Sequence, residues 1–424
     1  MQKLQKLWKV EQLRNKLLYT LFILLLFRVG CGLAVPFIRP EVMQSLFNTG
    51  NTLDYLNMIS GGALSQCAVF ALGVSPYINA SIIIQLLCNV IPSWEKLKDS
   101  GEGQKAFEKY TKILSCVLSL VMSLGYYFIL RRQLGLKYTG FFPAVVIVMT
   151  FAAGSSMVVW LANRINQKGI GNGVSLIIFT GIVSRWSDLY ATAKSLWMKI
   201  QAGQWGFLFV GIALVAFFLL SMYYVVYSNG SERRIPISYA KKRVGNKIHG
   251  GNSSYIPLKL MMSGVLPVIF ASTILSLPQT IVMFMKPEKH PTLYNALLSF
   301  GSRNIIWCVL YGLLIFGFTY FYISIQYDPV KMANDLRVNG GMIPGKRPGK
   351  PTSDFLAAAM KQMAGTGAFT LVVIALAPII LGNSLGYTVQ MSGTSLLIVV
   401  GVAEELVNAV DSELVVRHHR GFLN

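Results

Sequence analysis

The sequence predicts an all-α polytopic membrane protein of ten transmembrane helices in two inverted five-helix halves. Three observations predict it. The 424 residues are 54% hydrophobic and only 13% charged, with a mean hydropathy of +0.53, about half the charge of a soluble domain. Uncharged runs of about 20 residues, enough to cross a bilayer, recur along the whole chain. Finally, the stretch GVSPYINASIII at 73–84 returns as GVLPVIFASTIL at 264–275, identical at seven of twelve positions and 191 residues apart.

The first span is 17–36. Basic residues precede it, but it contains Arg28 and no small-residue cleavage site follows, so it reads as a retained span and not a signal peptide. The second lies within 55–90 and is too long and interrupted for one straight helix. The others are 113–130, 141–163, 170–184, 205–227, 257–285, 304–327, 365–382 and 394–410. The fifth has only about 16 uncharged residues and is the weakest by hydropathy. GIGNG at 169–173 has the glycines of a phosphate loop without its lysine, and reads as the opening of that fifth helix.

An even number of spans puts both termini on one side. With the termini and alternate loops grouped together, 27 of the 38 Lys and Arg fall on that side and 10 on the other, Arg28 lying within the first span. The positive-inside rule makes the richer side cytoplasmic. Topology and attraction to anionic lipid account for the net charge of +21 without nucleic-acid binding. Two cytoplasmic loops, 228–255 and 328–361, exceed what topology needs. Their tips are Gly, Pro and basic residues, which suits docking of a large acidic partner.

The two near-copies fall in spans two and seven, which run in opposite directions. The chain thus divides at about residue 200, spans one to five before it and six to ten after it. Such inverted repeats place their working site near the midplane, at broken helices. Pro76 and Pro267 stand inside the apolar runs, where a proline lacks the N–H and clashes with the carbonyl four residues back. Backbone groups freed in hydrocarbon are costly unless protein or water satisfies them, so the breaks are expected to face a central pore. Ahead of the first break, SGGALSQCAVFALG at 60–73 is a poor span, rich in small residues, and reads as a short re-entrant segment. Ile78 and Ile82, four apart, share a helix face, as do Ile178 and Ile182. An apolar ring of this kind seals a pore by excluding water.

Catalytic chemistry finds no footing. There is no H-E-x-x-H, no G-x-S-x-G and no Walker loop, so the chain is not read as an enzyme and no cofactor is expected. The five cysteines sit in apolar runs without a C-x-x-C pair, and His418 and His419 lack metal-ligand spacing. Intramembrane charge is confined to Arg28, Glu404 and Glu405. That is little for an inverted-repeat secondary transporter of a small solute, which stays the alternative reading.

In order along the chain stand SGGALSQCAVFALGVSPYINASIIIQLL, KGIGNGVSLIIFTGIV, ERRIPISYAKK, PLKLMMSGVLPVIFAST, MIPGKRPG, GTSLLIVV and RHHRGFL. Together they closely resemble the SecY family of protein-translocase channel subunits. The resemblance implies a pathway for unfolded polypeptides with sideways release of apolar segments into lipid. It makes 60–71 the plug, including Ser60, Gly61, Gly62, Ala63, Leu64 and Ser65. It implies a pore ring of Ile78, Ile82, Ile178, Ile182, Ile274 and Ile398. The near-copies become walls of a lateral gate: Pro76, Asn79 and Gln85 on one, Pro267, Thr273 and Gln279 on the other. Arg233, Arg234, Lys241, Lys242 and Arg243 match one docking loop, Lys346 and Arg347 the other. The implied partners are SecE and SecG, the SecA motor ATPase, the ribosome with its RNA, signal sequences, nascent polypeptides and the lipid bilayer. The implied location is the bacterial inner membrane, with plastid thylakoids the lesser option. Departures from the family pattern are LANRINQKGIG before the fifth helix, Asp328 and Lys331 opening the second loop, and Ser392; they bear on docking detail.

Overall fold

The computed structural model describes residues 10–39, 60–91, 101–132, 136–138, 140–185, 197–202, 206–239, 242–244, 247–249, 253–284, 305–385 and 393–420, with isolated positions between them. Each of the ten predicted spans holds a helix: α1 (Glu11–Gly32), α2 (Ser75–Val90), α3 (Gly101–Arg132), α4 (Phe141–Lys168), α5 (Gly173–Ser184), α6 (Gly206–Gly230), then α7 (Leu266–Phe284) and α8 (Ile305–Gln326), with α10 (Lys350–Leu385) and α11 (Gly393–Arg420) after a short α9 (Pro329–Val338). Six of the ten are long and apolar enough to cross a bilayer. The apolar parts of α2, α5 and α7 are shorter, and charged residues such as Glu404, Glu405 and Asp411 interrupt α11. At 1.5 Å per residue, the twelve residues of α5 reach about 18 Å, well short of the hydrocarbon thickness.

The described residues form two compact units. One comprises 1–211, 273–307 and 398–424; the other comprises 212–272 and 308–397. In the first, α3 packs between α2 and α4, and α4 packs on α1 and α5. Asn172 caps α5 by accepting from the Val174 and Ser175 amides, the arrangement that satisfies orphan N–H groups at a helix start. Asn166 accepts from Gly173 N at 2.6 Å and Thr20 from Ile170 N at 3.1 Å, so the turn from α4 to α5 is pinned to both α4 and α1. Beneath it, Leu13 and Ile170 pack with Leu17, Leu406 and Val410, beside an ion pair between Lys16 and Glu413.

The second unit carries structure that a reading of its loops as Gly, Pro and basic residues missed. β1 (Glu232–Tyr239) pairs antiparallel with β4 (Ser253–Lys259) and with β5 (Gly341–Met342), and β2 (Lys242–Val244) pairs with β3 (Lys247–His249). The register sets Ile235 opposite Ile256 and Arg233 opposite Leu258. Ile235, Ile237 and Leu258 are buried while Arg234 and Pro236 are exposed, the period-two pattern of a half-buried strand. The predicted start of span seven, 257–265, is therefore strand and turn. The sheet, the end of α8, α9 and the first turns of α10 share one core around Leu258, Ile323, Ala333, Leu356 and Met360. Asp328 caps α9, accepting from Val330 N at 2.8 Å and Lys331 N at 3.2 Å, with Pro329 in the first turn and Arg337 in the last.

One expectation is corrected. Pro76 and Pro267 do not break helices from within. α2 begins at Ser75 and α7 at Leu266, so each proline sits in a first turn, where its missing N–H is no loss and no carbonyl lies four residues back in the helix. The prolines inside helices are Pro278 of α7 and Pro378 of α10. The breaks come earlier, at Gly73 (φ +52°) and Gly264 (φ +60°), in the left-handed region that glycine enters without a Cβ penalty. Both copies repeat the same bonds. Gly73 N donates to Phe70 O and Gly264 N to Met261 O; Tyr77 and Ile78 donate to Val74 O, as Val268 and Ile269 do to Val265 O. The sequence repeat is a repeat of backbone construction.

Candidate functional site

Residues 60–74 form a chain of turns, not a helix, because Gly61 and Gly62 (φ +68° and +82°) and Cys67 (φ +49°) interrupt helical geometry. Its polar groups are satisfied largely by the segment itself and by Asn57 just ahead of it. Ser60 Oγ donates to Asn57 O at 3.0 Å and accepts from Leu64 N at 3.3 Å; Ser65 N donates to Asn57 Oδ1 at 3.0 Å, and Ser65 Oγ to Gly62 O at 2.8 Å. Ala68 N reaches Ala63 O and Ala71 N reaches Ala68 O, each at 2.9 Å.

Small residues of three helices seat this segment, and α3 packs on it as well. Past the end of α1, Val35 N donates to Cys67 O and Val69 N to Leu33 O. On α1 itself, Phe27 stacks on Phe70 with centroids 6.0 Å apart, and Gly30 leaves room for the Phe70 ring, which a Cβ there would meet at 2.0 Å. On α4, a Cβ at Gly154 would lie 2.0 Å from Val69 O, and Ser155 Oγ donates to Gly73 O at 3.1 Å. On α5, Gly181 backs Gly61 so closely that a Cβ on Gly61 would stand 2.8 Å from its Cα. The Gly61 carbonyl accepts from Arg28 Nη1 at 3.1 Å, and Ser184 Oγ, whose proton goes to Gly181 O at 2.7 Å, lies 3.4 Å away as a weak second contact. Leu64, Cys67, Ala71 and Leu72 complete a core with Tyr126, Leu130, Ile147 and Phe151. Ser60, Gly61, Ala63 and Leu64 are thus buried, and Gly62 and Ser65 half-buried.

All six isoleucines of the expected ring belong to the same compact unit as this segment. Ile82, Ile178, Ile182 and Ile398 are buried; Ile78 and Ile274 are half-buried. Of the gate positions, Pro76 and Pro267 are buried, Asn79 and Thr273 half-buried, and Gln85 is exposed and donates to Ser81 Oγ at 3.2 Å. The Gln279 side chain lies outside the described residues.

The basic loop residues divide by what they touch. Arg233, on the sheet's inner side, donates to Gln362 Oε1 of α10 at 2.8 Å. Arg234, on the outer side, donates to Glu232 at 2.6 Å and lies 4.9 Å over the Tyr255 ring. The Glu232 hydrogen bond, and Tyr255 after it, hold its guanidinium above its ordinary range. Lys346 sits 5.6 Å over the Phe355 ring. Arg347 is exposed, and its carbonyl accepts from Thr352 Oγ1 at 2.8 Å. Lys241 and the side chains of Lys242 and Arg243 lie outside the described residues. Sequence reasoning missed Tyr255, Gln362 and the Asp328 cap; the alternation in ERRIPISY and the Asp-Pro pair at 328–329 were the available signals.

Fold and site define a polytopic membrane protein, one unit of which packs helices around a buried, non-helical segment while the other carries a basic sheet. Comparison with known proteins narrows the class. The family model described as SecY matches residues 68–407. The protein translocase subunit SecY of Thermotoga maritima is 36% identical over 430 residues, covering 98% of this chain and 96% of its own. Among solved structures, one concerned with the SecY plug domain stabilising the closed state of the translocation channel aligns with TM-score 0.67 at 18% identity, over 95% of this chain and 92% of that one. Sec61 in the canine ribosome–channel complex of the endoplasmic reticulum aligns with TM-score 0.64 at 17% identity, over 95% and 93%. The chain belongs to the SecY family.

Proposed function

We propose that this chain is the channel-forming subunit of a protein translocase, conducting unfolded polypeptides across a membrane and releasing apolar segments sideways into lipid. Its plug is 60–71 and its constriction the six isoleucines. The observation that carries this is the segment 60–74, wired internally, buried, and seated on small residues of three helices in the unit that also holds all six isoleucines. An aliphatic constriction suits a client of any sequence, because specific polar contacts would hold some chains too tightly. Family membership carries this reading over a small-solute transporter.

Residues 1–200 and 201–424 form the two halves, with α2 and α7 walling the lateral gate. The basic loops dock a motor ATPase or a ribosome, the latter supported by the ribosome-bound neighbour, and SecE and SecG complete the assembly. The distribution of Lys and Arg supports cytoplasmic termini, and the bacterial relatives support a bacterial inner membrane. A photocrosslinker at Ile82, with a secretory client stalled in transit, tests the core of the reading. An adduct to the client is expected; adducts only to lipid or to other subunits would defeat it.

A further inference from the structure

We infer that Arg28 is a positioning residue for the plug, a latch that holds the Gly61 end of the segment in its seat. The inference rests on the channel reading above. Arg28 is a cation within an otherwise uncharged stretch of α1, Tyr19–Gly32. Such a charge in a membrane helix is costly unless it meets acceptors or lines a wet cavity. Here it does meet one: Nη1 is 3.1 Å from Gly61 O. The guanidinium has five donors and no way to shed its charge, so it suits a carbonyl that must be held without sequence-specific chemistry.

The geometry around that carbonyl is built for the contact. Gly61 is left-handed at φ +68°, and Gly181 stands where a side chain on it would go. Glycine at both positions lets the segment's first turn come close enough for Arg28 of α1 to donate to the Gly61 oxygen, with Ser184 Oγ of α5, which donates to Gly181 O at 2.7 Å, lying 3.4 Å from the same oxygen. The two ends of the segment are fastened differently. Toward α2, the chain continues into the helix and Ser155 holds Gly73 O. In the middle, backbone bonds join Cys67 and Val69 to residues 33–35. At the Gly61 end the ties to helices are side chains: Arg28, Ser184, and weakly Cys31 Sγ, 3.8 Å from Ser60 O. With the continuation into α2 and the backbone bonds of Cys67 and Val69 holding the rest, a displacement that pivots at α2 frees the Gly61 end. Arg28 supplies the charged tie at that end. Once that carbonyl leaves, the donors remain, and the unpaired carbonyls of an entering extended chain are acceptors of the same chemistry.

Cys67, in the same segment and 1% exposed, reports directly on seating. The full chain, assembled in its native membrane with Cys31, Cys88, Cys116 and Cys308 replaced, is treated from the extracytoplasmic side with a membrane-impermeant maleimide. Arg28→Met should raise the labelling rate of Cys67 about tenfold, the weight of one charge-assisted hydrogen bond at a partly exposed site. It should also raise resting ion conductance. Arg28→Lys, which keeps the charge, should restore both to near the Arg28 level, a rescue that lost packing alone would not produce. An Arg28→Met labelling rate equal to that of the Arg28 chain would overturn the inference. Should Arg28→Met fail to assemble, Arg28→Gln carries the test: faster labelling supports the latch, an unchanged rate overturns it. Labelling needs no translocating client, so failure of the channel reading, seen as absence of client adducts at Ile82, stays distinguishable from failure of the latch.

Discussion

The Val69 carbonyl oxygen occupies the place of a side chain on Gly154: a Cβ there would stand 2.0 Å from it. The next residue of α4, Ser155, donates to Gly73 O, so one turn of α4 grips the segment ahead of α2 at two points. The seat depends on absent volume as much as on bonds.

Gly154→Ala should therefore push the segment outward at a cost of about 1–3 kcal/mol, as overpacking does. Export of a reporter with a crippled signal sequence should rise severalfold, because the closed state loses the stability that selection works against. Export no better than with Gly154 would place the grip elsewhere.

Ile82→Gly and Ile274→Gly remove side chains from the proposed constriction, one buried and one half-buried. Each should raise ion leak through the resting channel and loosen selection of signal sequences, since a smaller apolar collar dewets less readily. Single-channel conductance at the Ile82 and Ile274 level would count against a role in the seal.

Arg347 projects from the exposed turn between β5 and α10, its backbone tied down by Thr352. Arg347→Glu reverses charge with little to disturb in the core, so stability should move by no more than about 0.5 kcal/mol. Motor-driven export into reconstituted vesicles should fall markedly while the chain still inserts into the membrane. Export at the normal rate would move the docking surface away from this loop.

Gly264 has open space where a side chain would begin, with nothing within 4 Å of a Cβ placed there, yet its φ is +60°. Gly264→Ala thus isolates backbone strain, and should cost about 1–2 kcal/mol, seen as a lowered midpoint of thermal unfolding in detergent. Gly264→Asn should cost less, because asparagine tolerates the left-handed region. Equal midpoints for Gly, Ala and Asn would mean the turn relaxes freely.

Much of the membrane fold was legible because lipid imposes a length and a composition on each span. The opening of α5 was legible in GIGNG, whose Asn172 supplies the cap, because that signal is local. The prolines were misread because an apolar run does not reveal which of its residues is helical; Gly73 and Gly264, two residues ahead of the helix starts, carried the break. The sheet was missed because Arg233, Arg234 and Lys259 dominated the composition of strands whose Ile235, Ile237 and Leu258 alternate inward. The seating of 60–74 was beyond local reading altogether. Gly30 meets Phe70, Gly154 meets Val69 and Gly181 meets Gly61, pairs that stand between 40 and 120 positions apart along the chain.

The local bonding of 60–74 together with Asn57 has a consequence for the proposed plug. Asn57, Ser60 and Ser65 supply acceptors and donors that move with the turns they serve. As the proposed plug, the segment would depart as a folded knot, leaving few amides bare, and return without having to be rebuilt. Its reseating would then be a docking event rather than a refolding one.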